Sequence, residues 1–126
     1  MFVVVGLITL MLSIVTTAVS RTNARARDIK RVADVLEVNK ALNLYYTTIQ
    51  RFPVIAQSIT IDGNDPLSRQ LVGRRFLQSA PLDPLYPDYG YHYVSNVSGT
   101  DYIITFCLET NSIRDRYRGC NNTVKP

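Results

Sequence analysis

A chain of 126 residues with 14 Lys and Arg, 10 Asp and Glu and a net charge of +4 has room for one small folded unit. Its charge, mostly carried by arginine, permits contact with anionic surfaces but does not demand a nucleic-acid partner. With a single histidine, His92, and two cysteines, a zinc site is not expected, and no glycine loop of the phosphate-binding type is present.

The first element is apolar. No charged residue precedes Arg21, and Met1 to Val19 as a helix approaches the thickness of a bilayer's hydrocarbon core, about 30 Å. Phe2, Val3, Val4, Val5, Leu7 and Ile8, followed by Leu10, Met11, Leu12, Ile14 and Val15, are the side chains expected to meet lipid or neighbouring helices. Ala18-Val19-Ser20 would suit a signal-peptide cleavage site, but the run is longer than the apolar part of such a signal. A retained span is the expectation.

From Thr22 to Gln50 there is neither Pro nor Gly, so the helix is predicted to run on to Arg51-Phe52-Pro53, where the residue before Pro leaves the helical region. Two apolar groupings appear at helical spacing. Ile29, Val32, Ala33 and Leu36 form one, assigned to neighbouring subunits. Val35, Val38, Leu42, Tyr45, Tyr46 and Ile49 form the other, assigned to packing on the chain's own sheet. Arg25, Arg27, Lys30 and Arg31 are read as a solvated face. Counted with Arg21, these basic residues would by the positive-inside rule lie in the cytoplasm, whereas an even cysteine count suits an oxidising exterior. An exported head is the expectation.

Val54 to Pro84 is read as irregular, with Asp62 to Pro66 a turn rather than a calcium loop and short helical pieces between Leu67 and Leu77. Strands are predicted at Tyr89–Val94 and Tyr102–Leu108, joined by a hairpin loop, with a third near Ile113–Arg118. The tyrosines of the first strand are expected to pack, with their hydroxyls reaching water. Cys107 and Cys120 would, if bridged, close a short C-terminal loop and add about 3 kcal/mol; the alternative is two free thiols. Arg114, Arg116 and Arg118 are the candidate contacts for DNA or another anion, though more simply a solvated face. His92 is expected on the surface, with no base-and-nucleophile pair around it, so neither catalysis nor a cofactor nor a small-molecule substrate is expected. Asn96 and Asn121 each begin a glycosylation acceptor triplet.

Taken in order, the apolar helix, its continuation Ala26 to Arg31 and Ala41 to Tyr46, the stop at Phe52-Pro53, and Pro81 to Pro84 followed by tyrosines resemble the type IV pilin and type II secretion pseudopilin superfamily. The resemblance implies an α+β fold: a long N-terminal helix, membrane-spanning in its first half, packed on a small antiparallel sheet. Residues 1–20 would be the filament-core segment, 21–52 its amphipathic continuation and 53–126 the head. It also implies an inner-membrane anchor before assembly, then a surface or periplasmic filament of like or mixed subunits raised by a dedicated assembly machinery. Family members carry a glutamate early in this helix, after a basic leader. Counted back from Ala26 to Arg31 that glutamate would fall just before Met1, so a start upstream of Met1 is expected. Two alternatives are a minor, DNA-binding pilin using Arg114, Arg116 and Arg118, and a lone head on a single membrane span.

Overall fold

The computed structural model describes residues 2–126, leaving aside the side chains of residues 2 and 13–17. The expected apolar contacts of Phe2, Ile14 and Val15 therefore lie outside the described side chains. Helix α1 runs Phe2–Ile49, 48 residues, which at the α-helical rise is about 72 Å. It ends where Gln50 takes a positive φ of 61°, its amide bonding to the Tyr46 carbonyl at 2.7 Å, and Pro53 forbids resumption.

The head is a four-stranded antiparallel sheet in the order β1-β2-β3-β4, formed by β1 Ile59–Ile61, β2 Tyr91–Ser95, β3 Tyr102–Leu108 and β4 Gly119–Val124, with a short helix α2 at Pro66–Gly73. The architecture is thus α+β, a long N-terminal helix with a small antiparallel sheet. Alternation in β2 and β3 sends Tyr91, Tyr93, Tyr102, Ile104, Phe106 and Leu108 toward α1, where all are buried, while His92, Ile103 and Thr105 face outward. Leu67, Leu71 and Leu77 close the side of this core. Helix α2 is started by Asp65, whose carboxylate accepts from the Ser68 amide, as an N-cap should.

Three differences from expectation have local causes. The third strand is Gly119–Val124 rather than Ile113–Arg118. Asp115 turns at φ 59° and Gly119 at φ 118°, so the chain reverses before pairing, and only then does Thr123 face Thr105 and Val124 face Ile104. Its residues GCNNTV carry no strand pattern because it is an edge held by backbone bonds, where polar side chains are normal. The second is β1, three residues paired from Ile59 with Tyr93 to Ile61 with Tyr91, too short to leave a periodicity. Finally, β2 begins at Tyr91, because Tyr89 turns aside toward α1.

The hairpin loop between β2 and β3 docks on the end of α1. The Phe52 amide donates to the Gly99 carbonyl at 2.7 Å, and a Cβ at Gly99 would stand 2.9 Å from the Phe52 carbonyl oxygen at a φ of +68°. Only glycine fits that approach.

Cys107 and Cys120 form a disulfide spanning 13 positions, which ties β4 to β3 and closes the loop between them. Replacing Cys120 by serine is expected to lower head stability by about 3 kcal/mol, read as a drop in the urea midpoint.

Candidate assembly surface

The head covers one face of the C-terminal half of α1. Val35, Val38, Ala41, Leu42 and Tyr45 are buried there, and Ile49 is half-buried. Tyr46, expected on this face, is 38% exposed. It follows Tyr45 by one residue, about 100° around the helix, so only one of the two can point at the sheet. Tyr45 does so, donating its hydroxyl to Gln70 at 3.1 Å; Tyr46 lies on the rim with its ring 4.7 Å from that of Phe52.

The tyrosines of the sheet do not send their hydroxyls to water. Tyr91 donates to Asp34 at 2.8 Å, Tyr93 to the Pro53 carbonyl at 2.8 Å and Tyr102 to Asn39. A buried phenol needs a partner, and helix α1 with the turn after it supplies one to each. Burial first, then the bond to Asp34, pushes the Tyr91 phenol well above its ordinary value.

One residue of the expected solvated basic face is in the interior. Arg31 is fully buried, its guanidinium shared among three carboxylates: Nε donates to Asp83 at 2.8 Å, Nη2 to the other oxygen of Asp83 at 3.0 Å, and Nη1 to Asp28 at 2.9 Å and Glu109 at 2.7 Å. The ring of Tyr89 covers it, 4.8 Å from the guanidinium carbon. Asp28 in turn accepts from the amides of Glu109 and Thr110, and Arg27 grips Glu109 through two bonds at 2.8 and 2.6 Å. Among the described residues no buried side-chain nitrogen or oxygen lacks a partner. Burial alone would lower the Arg31 pKa; the bonds to Asp83, Glu109 and Asp28 outweigh it and raise it.

This clamp joins three distant segments: the middle of α1, the Pro81 to Pro84 turn and the end of β3. The sequence carried a sign of it. Arg31 stands four and seven residues before Val35 and Val38, on the buried face rather than beside it.

The clamp also sets a pH response. The bidentate bond from Arg27, then the bond from Arg31, overcome burial and lower the Glu109 carboxyl from 4.5 to about 2. A depressed carboxylate stabilises the fold above its unfolded pKa and loses that contribution as pH falls through the folded one. Head stability is therefore expected to decline as pH falls from about 5 to about 2, by less than the full shift would imply because solvent screens the partly exposed pair of Glu109 and Arg27. Glu109→Gln should flatten that part of a stability-against-pH curve measured by urea denaturation.

Among the described side chains the N-terminal part of α1 is uncovered. Val3, Leu7, Leu10 (64%), Met11 (68%) and Val19 are exposed, and the first described side chain of α1 that is not fully exposed is that of Ala24. Beyond it, Ile29 (53%), Ala33, Leu36 (46%) and Leu44 continue an exposed apolar stripe up the face turned away from the sheet, while Val32 is half-buried against the core. Among the described residues no helix is long and apolar enough to cross a membrane; the uncharged run Met1 to Val19 includes residues 13–17, whose side chains are not among those described.

Arg114, Arg116 and Arg118 do not form one basic row. Arg114 is solvent-exposed, 3.7 Å from Asp115; Arg116 donates to the Thr123 carbonyl at 2.7 Å and covers the Phe106 ring at 5.3 Å; Arg118 lines a cleft against α1. His92 is on the outer face of the sheet with Nδ1 3.3 Å from the Thr60 hydroxyl. The carboxylate of Asp65 is occupied by the amides of Asp62, Gly63 and Ser68, and among the described residues no cluster suits a metal ion. No protein family, curated protein or solved structure matches the chain.

Proposed function

We propose that this chain is a structural subunit of a type IV pilus-like or pseudopilus filament and not an enzyme. Its first half anchors it in the inner membrane with the head outside the cytoplasm, and α1 then packs against copies of itself or related subunits as the assembly machinery draws it into the filament. The observation that carries this reading is the division of α1: one face of its C-terminal half is committed to the sheet, while the described apolar side chains of its N-terminal half and the Ile29, Leu36, Leu44 stripe are exposed. A rod with that much apolar surface is not stable in water. Lipid satisfies it before assembly and other rods satisfy it afterwards, and a polymer is the arrangement that uses both ends of the stripe. The disulfide supports an oxidising location for the head.

The test is immunoelectron microscopy with antibody to the head, applied to material sheared from cells that make the chain. Filaments decorated along their length are expected. Label confined to membranes, with filaments unlabelled or absent, would leave a lone tethered head as the better description.

A further inference from the structure

Where α1 leaves its uncharged segment, the head meets it in a cleft of about 360 Å³ lined by Ser20, Arg21 and Ala24 on the helix and by Tyr89, Thr110 and Arg118 on the head. Its charges are unequal. Glu109 also lines it, but that carboxylate is held by Arg27 and Arg31. Arg21 and Arg118, in contrast, enter no ion pair among the described residues, and both are solvent-exposed, as is Arg25 one turn along the helix. Behind the cleft the clamp sets two arginines against three carboxylates, one net negative charge; the free arginines outnumber it. What remains is an open cleft whose lining includes two exposed arginines, Arg21 and Arg118, that enter no ion pair among the described residues.

Its position along the helix restricts what it can meet. Arg21 is the first charged residue of the chain, so if the preceding run lies in lipid, the cleft sits at the level of the headgroups. We propose that this cleft binds the phosphate of an anionic phospholipid, with Arg21 and Arg118 as the two contacts, so that the head rests on the bilayer in a fixed orientation before the subunit is drawn into the filament. Planar guanidinium groups suit a phosphodiester's two free oxygens, and a membrane-adjacent arginine is attracted to an anionic surface strongly enough to matter singly. The site rests on the membrane-anchored reading above, and its chemistry would equally admit free phosphate.

The full chain in nanodiscs containing equal phosphatidylcholine and phosphatidylglycerol, released and weighed by native mass spectrometry, tests this directly. Phosphatidylglycerol should be retained in preference, and the Arg21→Gln, Arg118→Gln double variant should reduce retention about fivefold per arginine, with Arg114→Gln as an unaffected control. Both arginines are exposed, so the fold should survive, which the urea midpoint verifies. Equal retention of the two lipids, or retention unchanged in the double variant, would overturn the site while leaving the filament reading intact. Displacement of lipid by millimolar inorganic phosphate would overturn the lipid as its occupant. Failure of the chain to float with vesicles of either composition would overturn the anchor, and the site with it.

Discussion

Cells making the Leu10→Glu chain are expected to yield no filaments above background. Leu10 is in the uncovered half of α1 and touches nothing in the head, so the change acts only on what surrounds the rod. A carboxylate near the middle of a membrane-embedded helix costs about 3 kcal/mol, and the lost burial of leucine adds about 2 kcal/mol. Since about 1.4 kcal/mol is a tenfold change, the first penalty alone lowers incorporation by roughly a hundredfold and the second by about thirtyfold, and in a polymer the loss recurs at every subunit. Leu10→Ile keeps the apolar surface and should assemble normally. The two variants should have identical head stability, since the folded sheet never meets residue 10. Normal filament yield from Leu10→Glu would mean that the apolar half of α1 is not the assembly element.

The second large effect is in the head. Arg31→Met should lower its stability by about 3–5 kcal/mol, because it leaves buried carboxylates facing one another without their shared cation. In a domain whose whole stability is about 5–15 kcal/mol, this approaches unfolding. The loss comes from uncompensated charge rather than from any large net gain in the intact clamp. The combination Arg31→Met with Asp28→Asn and Asp83→Asn should therefore recover much of the urea midpoint. Arg31→Lys is expected to fall between, as it keeps the charge but cannot fork to Asp83, Asp28 and Glu109 at once. A triple variant no better than Arg31→Met would show that the bonds Asp28 accepts from the Glu109 and Thr110 amides, rather than the charge balance, hold this junction.

Much of the architecture was legible because it is written in periodicity. The uninterrupted helix, its stop before Pro53 and the alternation of Tyr102 to Leu108 each follow from a repeat that burial imposes. Strand β4 leaves no such repeat. It lies at an edge, its side chains mostly face water, and its position is dictated by the Asp115 and Gly119 turns and by Cys120, none of which produces a pattern. Tyr46 lies on the rim rather than on the sheet-facing side, and spacing alone does not rank two adjacent aromatics.

Arg31 departs furthest from what its neighbours suggest. Composition classes an arginine among four basic neighbours as solvated, yet its place in the buried stripe was visible from Val35 and Val38. What the sequence could not reveal was that Asp83 and Glu109, distant along the chain, would come together to receive it. The covered and uncovered faces of α1 follow from the same division. The clamp and the tyrosine hydroxyls fix one face to the sheet, so the Ile29, Leu36, Leu44 stripe is held outward in a defined direction.

Assembly through α1 is tested most directly by cross-linking single cysteines introduced along that outward face. With cysteine at Leu7 or Leu36, oxidation of cells that make the chain should give a ladder of covalent multimers, absent when the same cysteine is combined with Leu10→Glu. Cysteine at Val97, exposed at the far tip of the head, should give little. Only monomers from Leu7→Cys and Leu36→Cys, or ladders no different from those at Val97, would contradict a filament built on this helix.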